Sequence, residues 1–101
     1  MSAAPDTSHF EDDMAAMALV RDMTGTMRWT LKQIDTGSLR APGIDVARKA
    51  MAQTLARLHG LGLVSADLGP AMPPDNVKMG GRDLITPRGR QALNIMRGLK
   101  P

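Results

Sequence analysis

Lys49, Gln53 and Arg57 stand four residues apart in "IDVARKAMAQTLARLHG". On a helix that spacing puts all three side chains on one face. Gln pairs bidentately with adenine, and Arg and Lys bond guanine or phosphate. Arg48 falls at the edge of the row, Asp45 sits beside it, and small Ala52 and Ala56 permit close approach. The chemistry this offers is recognition of a polyanion. Bond making and breaking find no comparable set. His9 adjoins the acids of "HFEDD", but the spacing fits an acidic helix start better than a metal site. His59 ends a helical pattern, where it suits the dipole. No Ser/His/Asp arrangement, G-x-G-x-x-G run or Walker lysine is present. Neither an enzyme, a cofactor nor a metal site is expected.

The helix carrying the row is expected at 44–59. Ile44, Ala47, Met51, Leu55 and Leu58 repeat at three and four and should form its buried face. Gly60 and Gly62 should stop it. Upstream, "FEDDMAAMALVRDM" reads as a helix with Ala16, Val20 and Met23 on one face. The stripe continues in phase through Met27, Leu31 and Ile34, so residues 10–35 form one helix with a weak spot at Gly25 or two helices. Two are preferred, with Thr26 as the cap of the second. Trp29 lies opposite the stripe. "DTGSLRAPG", residues 35–43, reads as a loop. Leu63 and Val64 turn extended, and "DLGPAMPPDNVKMGG" is too rich in Pro and Gly for regular structure. Two short strands, about 63–66 and 82–86, are therefore expected as a hairpin around a long tip. Thr86 then caps a last helix with Pro87 at its first position. Ala92, Leu93, Met96 and Leu99 are its apolar face; Arg90, Asn94 and Arg97 share a polar one, with Arg88 near its start.

A chain of 101 residues with 43% hydrophobic and 23% charged residues suits one globular domain, placed at 10–101 after a flexible tail at 1–9. Phe10 and Trp29 are the aromatics, so nine Met residues share the filling of apolar space. The absence of Cys rules out disulfides and fits a reducing cytoplasm. No apolar run approaches the ~20 residues of a membrane span, and the first residues lack the pattern of a secretory signal. Charge is uneven. Residues 1–39 hold six acids and three bases, a net of −3, whereas residues 40–101 hold ten bases and four acids, a net of +6. A basic second part points to an anionic partner such as nucleic acid.

Two motifs carry a resemblance. "LARLHGLGLV" resembles a recognition helix running into a first wing strand, as in MarR-, PadR- and ArsR-type bacterial regulators, and "DLITPRGRQAL" resembles the second wing strand with the following helix. "TLKQI" at 30–34 is similar to the first helix of a helix-turn-helix. The resemblance covers about residues 26–97. It implies a mainly α fold with a small β-hairpin, a winged helix-turn-helix. It also implies a bacterial or phage transcription regulator that places helix 44–59 in the major groove of double-stranded DNA. Arg48, Lys49, Gln53 and Arg57 would then contact DNA. Thr30, Lys32 and Gln33 from the preceding helix, Arg40 from the loop and Lys78 from the wing would meet phosphates. The apolar surplus of the first helix implies a homodimer formed through it. Lys78 is the only base in the wing tip, which motivates the alternative: a protein-interaction module on the same fold, an adaptor or inhibitor with a protein partner and no DNA affinity of its own.

Overall fold

The computed structural model describes residues 4–98, with side chains described from residue 13 onward. The expectations for His9, Phe10, Glu11, Asp12 and Leu99 lie outside the described side chains. Four helices follow one another: α1 (Ala4–Asp22), α2 (Gly25–Thr36), α3 (Asp45–Gly60) and α4 (Pro87–Gly98), with a short 3₁₀ turn at Arg82–Leu84 before the last. The first helix begins at Ala4, inside the stretch expected as a tail, so Asp13 lies in its interior and not in its first turn.

The apolar stripe explains the first half of the chain. Ala16, Val20, Met23, Met27, Leu31 and Ile34 are all buried, as their phase requires. The stripe crosses a real break, and two helices form. The second is capped by Thr24, not Thr26: the Thr24 hydroxyl accepts the Met27 N–H at 3.1 Å. Arg28 folds back so that Nε and Nη2 donate to the Val20 carbonyl at 3.2 and 2.7 Å, which occupies an acceptor near the end of α1. Trp29 is half exposed, on the side away from the stripe.

The β-hairpin and the wing are absent: among the described residues there is no strand, only two isolated antiparallel bridges, Val64 with Ile85 and Arg40 with Lys78. The reason is local. Ser65 N–H donates to the Leu84 carbonyl and Thr86 N–H to the Leu63 carbonyl, the beginning of a ladder. On one side the partner segment winds into the 3₁₀ turn at 82–84, and on the other Thr86–Pro87 starts α4. Only Ile85 remains extended to pair. The far end of the supposed wing is committed elsewhere. Met79 N–H donates to the Leu39 carbonyl, Ala41 N–H to that of Val77 and Asn76 N–H to that of Ala41, so the 76–79 segment lies along the loop between α2 and α3. That loop is no spacer, since Leu39 and Ala41 are buried in the core.

The second half closes on a few fixed points. At the end of α3, Leu63 N–H donates to the Leu58 carbonyl and Gly62 N–H to that of His59, with Gly62 at φ +77°. This is the Schellman arrangement, in which Gly takes the left-handed position and the flanking Leu58 and Leu63, both fully buried, close over it. Thr86 caps α4 as its sequence position requires. Its hydroxyl accepts the Gly89 N–H at 2.9 Å and donates to the Gly62 carbonyl at 2.6 Å, tying the start of α4 to the end of α3.

Candidate nucleic-acid interface

α3 presents the row that the spacing suggests. Lys49, Gln53 and Arg57 are exposed, as are Ala50 and Ala56 between them. Among the described residues neither Lys49 nor Arg57 takes part in an ion pair. The face is therefore cationic, and its middle is unobstructed by long apolar side chains. The buried side of α3 differs from expectation at its start. Leu55 and Leu58 are buried and Ala47 and Met51 are half-buried, but Ile44 is 72% exposed; Val46, outside the expected buried face, is 77% exposed. Ile44 precedes the first turn as its cap residue in an extended conformation, so it has left the helical phase that would have turned it inward.

The remaining candidates divide. Arg40 and Lys78, 38 positions apart in sequence, stand directly opposite each other across an antiparallel bridge, which puts their side chains on one side of the ribbon. Both are exposed. Arg40 is steadied by a bond from Nη1 to the Asn76 carbonyl at 2.8 Å. Like charges held opposite one another cost energy unless an anion meets them. Lys32 and Gln33 are half-buried on α2. Thr30 is buried at 2% exposure, so its hydroxyl is not presented to a phosphate. Arg48 is turned inward: Nη1 donates to the carbonyls of Pro42 at 3.0 Å and Pro73 at 2.9 Å, and Nη2 to that of Met72 at 3.3 Å. Its guanidinium joins two loops and is not part of the outer row.

Comparison with known protein families, curated proteins and solved structures finds no match.

A second charged cluster is not apparent from the sequence. Asp35, expected in a loop, is the next-to-last residue of α2 and its side chain is only 6% exposed. Arg90 Nη1 donates to its Oδ1 at 2.8 Å, Arg97 Nη2 to its Oδ2 at 3.4 Å, and Arg82 Nε lies 3.9 Å from Oδ1. The polar face read on the last helix is thus anchored in part to α2. The signal in the sequence is weak: Asp35 follows Leu31 by four residues, which puts it on the inward side of α2, but a lone Asp at a Gly-bearing loop reads first as a turn residue. Among the described residues no group of His, Asp or Glu could hold a metal ion, and no helix is long and apolar enough to cross a membrane.

Proposed function

We propose that this is a small helical DNA-binding protein of the bacterial or phage cytoplasm, a regulator that sets the outer face of α3 in the major groove. The observation that carries this reading is the exposed row Lys49–Gln53–Arg57, with small residues between. The groove admits one helix, and the row combines phosphate-seeking charge with a base-reading amide. Arg40 and Lys78 supply a second cationic point for backbone contact. The likeness of "LARLHGLGLV" to a recognition helix supports the role of α3 only; no wing enters the proposal.

In fluorescence anisotropy with a random duplex, Lys49→Ala/Arg57→Ala should bind at least about tenfold more weakly at low salt, since each charge-assisted contact contributes ~1.5–3 kcal/mol. Its log K against log salt should flatten by about 1.8, roughly 0.9 for each phosphate that is no longer neutralised. Both side chains are exposed, so the fold is spared. An unchanged slope, or a wild-type chain that ignores duplex at low salt, removes the proposal.

Exposed Ile44, Val46 and Val77 favour a second reading, docking on a protein partner through an apolar contact. Such binding persists as salt rises, whereas a phosphate contact collapses. On α1, Met14 and Met17 are exposed at 54% and 40%, and a homodimer through that helix would cover them. Light scattering that returns the monomer mass at working concentration eliminates the dimer.

A further inference from the structure

The Asp35 cluster carries more positive charge than its fold requires. A carboxylate withdrawn from water needs an opposite charge and hydrogen bonds. Arg90 at 2.8 Å supplies both. Two further guanidiniums converge on the same group, and they are 59% and 80% exposed at Arg97 and Arg82. Lys32, three residues before Asp35 on α2, lines the recess beside them. Three arginines around one carboxylate leave a surplus of two positive charges, before Lys32 is added. Among the described residues no other acid forms an ion pair with any of them.

The hydrogen bonds show how the surplus is presented. Asp35 engages one N–H group of Arg90 and one of Arg97, and Arg97 gives a further bond from Nη1 to the side-chain carbonyl oxygen of Asn94 at 3.3 Å. Arg82 reaches Asp35 only through a long contact at Nε. A guanidinium carries five donors in a planar fork. Asp35 therefore holds one N–H group of Arg90 and one of Arg97, while Arg97 and Arg82 remain largely exposed. Forks of this kind match the oxygens of a tetrahedral oxyanion. The recess beside them is bounded by Lys32, Asp35, Thr36, Leu93 and Arg97 and measures about 180 Å³. One water needs ~10–15 Å³ of such space, so the recess admits a compact anion.

We propose that this recess, between α2 and α4, binds phosphate or a small phosphate monoester, held directly by Arg97 and Lys32, with Arg90 and Arg82 adding positive charge around the buried Asp35 at its edge. With Arg90 offsetting Asp35, Arg97 and Lys32 supply two positive charges at the recess, the match of a dianion. The site is separate from the outer row of α3 and does not depend on DNA binding there.

The test titrates the full chain with inorganic phosphate at constant ionic strength balanced with chloride, following the arginine Nε–H signals by NMR. A saturable response at Arg82, Arg90 and Arg97 is expected. Arg97→Gln should weaken it about tenfold, the effect of one charge-assisted contact, and Lys32→Gln should weaken it severalfold. Lys49→Ala should leave it unchanged. Arg97 is 59% exposed and Arg90 keeps the shorter bond to Asp35, so the loss of Arg97 does not threaten folding. A response that never saturates, or one matched by chloride alone, overturns the proposal. So does an affinity that both variants leave intact.

Discussion

Replacing Arg48 by Ala should cost about 3 kcal/mol of stability, although Arg48 lies beside a surface row suited to binding. Its guanidinium donates to the carbonyls of Pro42, Met72 and Pro73, at 3.0, 3.3 and 2.9 Å. Hydrogen bonds to a charged group are worth ~1.5–3 kcal/mol each, and bonds sharing one side chain do not add fully. The three acceptors belong to two loops that have no strands to hold them. One is the end of the segment linking α2 to α3; the other is the Pro-rich stretch before the Arg40–Lys78 bridge. With the staple gone, the amides of Ala41, Asn76 and Met79, which bond across the two loops, should exchange with solvent faster. Lys in place of Arg should restore little, because one ammonium cannot span three carbonyls as a planar fork does. Urea titration and amide exchange read the two effects. A variant with wild-type stability and weakened duplex binding would instead make Arg48 a DNA contact.

The position of Arg48 shows where the sequence stops being informative. Spacing alone puts it at the edge of a polar face, and spacing is indifferent to what lies above that edge. Here two prolines lend carbonyls from positions 6 and 25 residues away. The apolar phase of α1 and α2 is legible because Ala16 through Ile34 obey one rotation. Likewise Thr86–Pro87 marks the start of α4, because a cap and a fixed φ are local properties. The hairpin fails for the opposite reason. Leu63, Val64 and Ile85 are apolar, as strand residues are, but whether a ladder grows depends on neighbours. Arg82–Leu84 satisfy their backbone in a 3₁₀ turn, and Asn76–Met79 pair with Leu39–Ala41. The resemblance to a winged fold rests on the order of such pieces, and order survives when pairing does not.

The same joint between the bridge and α4 yields the other large effect. Gly89 is buried in the first turn of α4, and a Cβ there would overlap the Leu63 carbonyl oxygen and press on Ile85 Cγ2 at 3.0 Å. By helix propensity alone, Gly→Ala should gain ~1 kcal/mol. The overlap opposes that gain. Overpacking costs ~1–3 kcal/mol where side chains can shift, and more where they cannot. Here the obstructing atom is backbone, and the Leu63 carbonyl already accepts the Thr86 N–H at 3.2 Å. Moving it breaks the Val64–Ile85 bridge and pulls Thr86 from Gly62. Gly89→Ala should therefore lose more than about 3 kcal/mol, a large part of the ~5–15 kcal/mol that holds a domain of this size. Gly60→Ala is the control. It sits at the end of α3 with no atom within 4 Å of an added Cβ, so it should be neutral or gain about a few tenths of a kcal/mol. Thermal melts show a large drop for Gly89→Ala and none for Gly60→Ala if α4 is seated directly on the backbone of the 63–65 segment. Equal melting temperatures would mean that the helix has room to move away, and that the joint is held by Thr86 alone.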